Sequence, residues 1–330
     1  IDDYNSLILD LKEFADEVIE EKKKSYALTI ALFLEHWKGQ DHGFTRILTK
    51  GFGDDGKPVI TLKYKCLDPR LITNEIIDNS YMVVGMSGTL TPLEMYKDLL
   101  GFEDVNLLEY DSPFPKKNQL HLIVPGITTK FNVRSEEMYK KIALKTACLV
   151  NAVPGNSIVF FPSYKLRDEI NPFFEKWCKK TTFLEQREMN KQERDELLEK
   201  FKSYKDQGSV LLAVSNGSFG EGIDLIGDYL KAVLIVGIPL NRPDLETKEL
   251  IAYYEKRFQK GWDYGYIYPA IITTIQNAGR CIRSENDKGV MVFLDERYKW
   301  DNYFKCFPKD KHFRITKTPV EMINEFFKDS

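Results

Sequence analysis

The chain has 330 residues, of which 43% are hydrophobic and 29% are charged, a composition typical of a globular protein long enough for two domains. Its net charge of −3 excludes a polycationic nucleic-acid binder, so any contact with nucleic acid must come from local basic patches. The chain contains no apolar run of about 18 residues, and we therefore expect no membrane span.

The first third of the chain changes its hydrophobic period twice. Apolar residues recur at helical spacing over about 1–24 and 25–38, which predicts two amphipathic helices. Alternation of period two then predicts two strands between 44 and 66, around a turn at 53–56. The short apolar run 82–86 predicts a buried strand, followed by a helix through Leu100.

Two prolines in the run 112–115 interrupt the chain, and we place a domain boundary there. Beyond it, continuous apolar runs alternate with helical patterns. The strands are predicted near 120–124, 157–161, 182–184, 210–214, 232–236 and 289–294. Strands of this kind, each followed by a helix, predict an α/β fold with a parallel sheet covered on both faces. Ligands of such sheets bind at the carboxyl ends of the strands.

The run QNAGRCIR is the most specific chemical signal. Gln276, Gly279, Arg280 and Arg283 would lie along one face of a helix predicted over about 266–283. Two guanidiniums aimed the same way need an anion, and a nucleotide triphosphate fits because arginine binds phosphate oxygens bidentately. The alternative is a solvated basic helix face.

A glycine-rich loop is expected after the strand at 210–214, with glycines at 217, 220 and 222 that let backbone N–H groups approach a ligand. Glu221 and Asp224 place acids in this loop, which could orient an arginine or accept a ribose hydroxyl. Ser218 could donate to a phosphate. The alternative is a plain turn into a short helix that starts near Gly220.

Small hydroxyl residues follow two other predicted strands. Ser87, Gly88 and Thr89 follow the run 82–86, and Ser163 and Tyr164 follow the run 157–161. Tyr164 could present its ring to a base. The alternatives are that the hydroxyls cap helices and that the tyrosine is packed in the core.

Other residues give weaker signals. Aromatic and basic residues interleave over 298–314, which fits either base stacking or a packed amphipathic helix. The five cysteines and four histidines show no ligand spacing, so no metal site is predicted. The chain contains no GxxxxGK[ST] phosphate loop.

Taken together, these segments resemble the XPD family of superfamily 2 DNA helicases, which includes the DinG-like enzymes. The matching runs, in family order, are VVGMSGTLTPLEMYKDLLGF (83–102), DSPFP (111–115), SIVFFPSYKLRDEI (157–170), LLAVSNGSFGEGIDL (211–225), QNAGRCIRSENDKG (276–289) and VFLDERY (292–298). They cover roughly residues 60–300, and an archaeal member of the family is expected.

The resemblance implies three regions. Residues 1–43 would be helices that return from the arch domain, 44–111 the C-terminal part of the first RecA-like motor, and 112–330 the second RecA-like motor. The chain would then be the C-terminal part of an ATP-dependent 5′→3′ DNA helicase of nucleotide excision repair, inactive alone. The Walker A loop, the DEAH box and the cluster cysteines of the family are absent from this chain. ATP and Mg²⁺ would be shared with the first motor, and a 4Fe–4S cluster would be bound only in the complete protein.

The resemblance also implies roles for individual residues. Arg280 and Arg283 would act on the γ-phosphate, and Gln276 would couple that contact to the neighbouring motif. The residues expected to line the nucleotide site are Gly220, Glu221, Gly222, Asp224 and Gly279. The residues expected toward DNA are Ser163, Tyr164 and Ser218, together with Ser87, Gly88 and Thr89, which would link the ATP state to the grip on DNA.

Expected partners are single-stranded DNA, the N-terminal half of the same helicase and repair-complex proteins, with no membrane. The expected compartment is the cytoplasm of an archaeon or the nucleus of a eukaryote. Two other functions stay open: a non-catalytic module that binds single-stranded DNA or a protein partner, and a relative of the RNA helicases.

Overall fold

A parallel β-sheet is the central feature of the part of the chain that the computed structural model describes, which comprises residues 3–21, 24–53, 55–220, 225, 228–240 and 242–328. Its strands are β3 (Gln119–Ile123), β4 (Ser157–Phe161), β5 (Thr181–Leu184), β6 (Ser209–Val214), β7 (Ala232–Val236), β8 (Gly289–Leu294) and β9 (Phe313–Ile315). Within the described ranges these seven strands run in the order β5-β6-β4-β7-β8-β3-β9, and all neighbours are parallel. The α/β fold predicted from the sequence is confirmed.

The other elements are two antiparallel strands and a set of helices. The two strands are β1 (Phe44–Phe52) and β2 (Pro58–Cys66). The helices are α1 (Tyr4–Glu21), α2 (Tyr26–Trp37), α3 (Arg70–Asp78), α4 (Leu93–Leu100), α5 (Glu136–Ala152), α6 (Tyr164–Trp177), α7 (Lys191–Ser203), α8 (Leu245–Phe258), α9 (Tyr268–Ala278), α10 (Asp301–Phe304) and α11 (Pro319–Lys328). None of the helices described is long and apolar enough to cross a membrane.

Alternate residues of each strand enter two separate hydrophobic cores. Ile158 and Phe160 of β4 pack on the side that α7 and α9 cover, whereas Val159 and Phe161 pack on the side of α5, α6 and α11. All four side chains are fully buried. Both faces of the sheet are therefore apolar, which explains why its strands read as continuous apolar runs.

The chain divides into two compact units. One comprises 1–83, 97–103 and 243–261, and the other comprises 84–96, 104–242 and 262–330, with the parallel sheet in the second. In the first unit, the Tyr4 hydroxyl of α1 donates to the Leu34 carbonyl of α2 at 2.8 Å. Tyr253 of α8 donates to a carboxylate oxygen of Asp68 at 2.7 Å. Burial raises the pKa of Asp68, but the hydrogen bonds from Arg70 and Tyr253 outweigh burial and lower that pKa to about 2.

One predicted strand is wrong, and one predicted helix is shorter than expected. Residues 82–86 form no strand, and their side chains are exposed. A buried strand needs neighbours to hydrogen bond with, and in the described part of the chain no strand pairs with this run. The helix predicted over 266–283 begins at Tyr268 and ends at Ala278. The helix predicted near Gly220 falls largely outside the described residues.

Candidate nucleotide and nucleic-acid site

The carboxyl ends of three neighbouring strands bring the predicted polar segments together. β5, β6 and β4 end at Leu184, Val214 and Phe161, and they are adjacent in the sheet. The loop 215–220 follows β6, and Ser163 and Tyr164 follow β4, so both lie at this edge. This is the edge at which parallel sheets bind ligands.

The loop 215–220 is held from one side by the end of α9. The amide of Asn277 donates to the Ser215 carbonyl at 3.1 Å, and a guanidinium nitrogen of Arg280 donates to the Gly220 carbonyl. Both side chains are buried. Glu221, Gly222 and Asp224, which were expected to line the nucleotide site, lie outside the described residues.

Arg280 and Arg283 do not share one helix face. After α9 the chain makes a 3₁₀ turn over Gly279–Cys281, in which Arg280 points inward and is 6% exposed. Arg283 lies beyond that turn and is exposed. Its backbone N–H donates to a carboxylate oxygen of Asp287 at 2.6 Å, which fixes the loop that carries it. The helical period continues in the sequence, but burial of Cys281 turns the chain toward β8.

Gln276 lies on the opposite, exposed face of α9 and reaches the turn at 87–89. Its amide nitrogen donates to the Thr89 hydroxyl at 3.2 Å. Within that turn the Ser87 hydroxyl accepts from the Thr89 backbone N–H at 3.2 Å. The turn precedes α4, which begins at Leu93, so Ser87 and Thr89 do not cap that helix. Gln276 and the turn at 87–89 therefore lie side by side.

Ser163 and Tyr164, which follow β4, have different surroundings. Ser163 caps α6, because its hydroxyl accepts from the Leu166 backbone N–H at 3.3 Å. Two guanidinium groups, those of Arg167 and Arg187, each lie 5.1 Å from the centroid of the Tyr164 ring. Burial, together with the hydrogen bond to Glu185, raises the pKa of Tyr164 to about 12. Tyr164 is thus a partly exposed ring held among cations.

A polar cavity of about 230 Å³ lies between the loop after β6 and α9. The residues that line it are Ser215, Asn216, Gly217, Gly220, Thr273 and Gln276. Small-molecule sites are typically roughly 300–1,000 Å³, so this cavity accounts for part of a nucleotide site. A Cβ on Gly279 would meet no atom of the described residues within 4 Å. Among those residues, none fills the space in front of Gly279.

Three residues that organise this edge were not singled out in the sequence. Glu185, directly after β5, accepts hydrogen bonds from Tyr164 and from the loop after β6. Asn277 holds Ser215, and Arg167 donates to the Glu185 carbonyl. The one signal for Glu185 is an acid directly after an apolar strand. Among the residues described, no three His, Cys, Asp or Glu side chains are grouped so that they could hold a metal ion.

Comparison with known proteins gives the class of this domain. The family model described as the helicase C-terminal domain matches residues 146–312. The chain is 25% identical over 300 residues to the Saccharomyces cerevisiae XPD/RAD3 helicase subunit of general transcription and DNA repair factor IIH, with 86% of this chain and 38% of that protein covered. It is 29% identical over 233 residues to a probable ATP-dependent helicase of Methanocaldococcus jannaschii, with 66% and 35% covered.

A solved structure of apo XPD has the same fold, with a TM-score of 0.64 at 21% identity, over 93% of this chain and 61% of that one. The parallel sheet and the helices that cover it match the fold of solved XPD helicase structures. The chain belongs to the helicase C-terminal domain family and corresponds to the C-terminal part of XPD-family superfamily 2 helicases. It spans between 32% and 38% of the length of the curated relatives it matches.

Proposed function

We propose that this chain works as the C-terminal part of an ATP-dependent DNA helicase that moves 5′→3′ on single-stranded DNA and separates duplexes. Residues 112–330 would be the second motor, 44–111 the end of the first motor, and 1–43 the helices that return from the arch domain. The factor IIH subunits among its relatives support a role in repair or transcription, and we propose nucleotide excision repair.

The observation that carries the proposal is the contact of α9, and of the 3₁₀ turn after it, with the loop after β6. Arg280 reaches the Gly220 carbonyl, and Gln276 and Thr273 line the cavity beside the same loop. The polar lining of the cavity and the space in front of Gly279 fit the ribose and phosphates of ATP. Bound ATP with Mg²⁺ supplies the phosphoryl group that water attacks. Arg280 and Arg283 would contribute positive charge to that group, and Gln276 would relay the contact to Thr89.

Single-stranded DNA would bind along the other part of the same edge. Tyr164 offers a partly exposed ring with two guanidiniums near it, which suits a base stacked on the ring beside a phosphate backbone that the cations contact. The Ser163 and Ser218 hydroxyls would donate to phosphates, and the turn at 87–89 would report the nucleotide state through Gln276.

ATP hydrolysis by the chain alone and by the full-length polypeptide, each with and without single-stranded DNA, tests this function. We expect DNA-stimulated hydrolysis from the full-length polypeptide and none from the 330-residue chain alone. Turnover by the chain alone would contradict the proposed division of the ATP site. DNA binding without hydrolysis in the full-length polypeptide would favour a non-catalytic binding module.

A further inference from the structure

A buried carboxylate lies beneath the two loops that would hold DNA. Glu185 directly follows β5 and is completely buried. Its Oε1 accepts from the Tyr164 hydroxyl at 2.9 Å and from the Ser218 backbone N–H, and its Oε2 accepts from the Val214 N–H at 2.7 Å. One side chain therefore contacts the start of α6, the end of β6 and the loop after β6.

The backbone of the loop after β6 comes unusually close to this carboxylate. A Cβ on Gly217 would collide with both side-chain oxygens of Glu185. A side chain at 217 would therefore require the Glu185 carboxylate to move away from its present hydrogen-bond donors. The sequence suggested that glycine at 217 lets the backbone approach a ligand. In the structure it also lets the backbone pack against Glu185.

The same loop is also held by α9 and by the 3₁₀ turn after it. Asn277 donates to the Ser215 carbonyl, and Arg280 donates to the Gly220 carbonyl. Between these two contacts, the Gly220 N–H donates to the Gly217 carbonyl at 2.9 Å, which closes a turn. Hydrogen bonds and the backbone of residues 217–220 therefore connect the Tyr164 hydroxyl, through Glu185 and the loop, to Arg280.

We propose that Glu185 is a positioning residue that keeps the Tyr164 ring and the loop 215–220 in one arrangement, so that a strand bound at Tyr164 and Ser218 affects the backbone that Arg280 holds. This role rests on the proposed helicase function. Glu185 itself, being fully buried, acts through Tyr164 and the loop.

Glu185→Gln in the full-length polypeptide is the direct test. The amide keeps the shape of the side chain but replaces one accepting oxygen with a donor, so a buried N–H or O–H loses its acceptor. A loss of this kind shifts an equilibrium by roughly tenfold. We expect the oligo(dT) concentration for half-maximal stimulation of ATP hydrolysis to rise about tenfold, with a much smaller change in the KM for ATP. A purely structural defect would lower kcat without this selective shift.

Glu188→Gln is the matched control, because it removes the same charge from an exposed residue of the same loop. We expect the oligo(dT) concentration for half-maximal stimulation to stay at the native value in this variant. Equal effects of Glu185→Gln and Glu188→Gln would overturn the proposal, since charge alone would then explain them. A native enzyme that DNA fails to stimulate would overturn the helicase function, and this role with it.

Tyr164→Phe provides a second, independent measurement, because the ring is partly exposed and the variant loses only the hydroxyl that Glu185 accepts. We expect a shift of half-saturation in the same direction, and less than additive shifts in the double variant. If Glu185→Gln fails to fold by circular dichroism, Tyr164→Phe decides alone. An unchanged half-saturation in Tyr164→Phe would overturn the link between Glu185 and DNA.

Discussion

Arg280 and Arg283 are three residues apart, but the structure gives them different surroundings. Arg280 is buried and donates to the Gly220 carbonyl, so its side chain is already oriented before a nucleotide arrives. Arg283 is exposed, and its own backbone is held by Asp287. A preoriented guanidinium loses little entropy on binding phosphate, which favours Arg280 as the arginine with the larger effect on catalysis.

If Arg280 has the proposed role, Arg280→Ala in the full-length polypeptide should reduce kcat for ATP hydrolysis by roughly 10³- to 10⁵-fold, because the positive charge that faces the transferring phosphoryl group is lost. The Kd for single-stranded DNA, measured by fluorescence anisotropy, should change little. The kcat of Arg280→Lys should be close to that of the alanine variant, since lysine lacks the planar guanidinium that binds two phosphate oxygens at once. Arg314→Ala, in the exposed part of β9, is the control. Loss of DNA binding in Arg280→Ala would mean that this arginine faces the nucleic acid.

At the scale of elements, β3 carries a histidine that is buried as a neutral ring. Burial lowers the pKa of His121 from 6.5 to about 4, with Lys311 and His312 acting in the same direction and Asp310 against them. The ring packs against Phe313 of β9, with centroids 5.3 Å apart. Protonation would therefore place a charge in the contact between β3 and β9.

The native protein should lose stability as the pH falls from 6.5 to 4. In that window the unfolded chain binds a proton at residue 121 and the folded chain does not. The free energy of unfolding therefore decreases, by at most about 3 kcal/mol. His121→Phe removes this proton, and its melting temperature should fall less over the same pH range. Exposed His42→Phe controls for the loss of a histidine elsewhere. Parallel pH curves for the native protein and His121→Phe would contradict the prediction.

The bounds of a strand or helix were predictable from the sequence where the residues of that element alone determine them. The bounds of β7 and β8 match the predicted 232–236 and 289–294, because both strands are apolar throughout. The end of α9 was missed, because burial of Cys281 and Ile282 ends a helix whose pattern continues. Glu185 was missed for a similar reason. Its three donors come from α6, β6 and the loop after β6, and only the fold brings them together.

At the scale of the whole molecule, the run 82–86 has the composition of a core strand and the exposure of a surface loop. Met82 is 71% exposed, Val84 is 67% exposed and Met86 is 84% exposed. Apolar side chains in such a row are normally covered by protein. If residues 44–111 belong to a first motor, as proposed, the neighbouring strands of that motor would pair with this run and bury it.

Hydrogen exchange can measure this pairing residue by residue. In a polypeptide that includes the rest of the first motor, the backbone amides of 82–86 should exchange at least about tenfold more slowly than in the 330-residue chain, because strand pairing protects N–H groups from solvent. The amides of β7 are the internal control, since they already lie inside the parallel sheet and should not change. Equal exchange at 82–86 in the two polypeptides would mean that this run is not a strand of the first motor. The proposed boundary at 112 would then have to be redrawn. The site at the carboxyl edge of the parallel sheet does not include residues 82–86, so its description would not change.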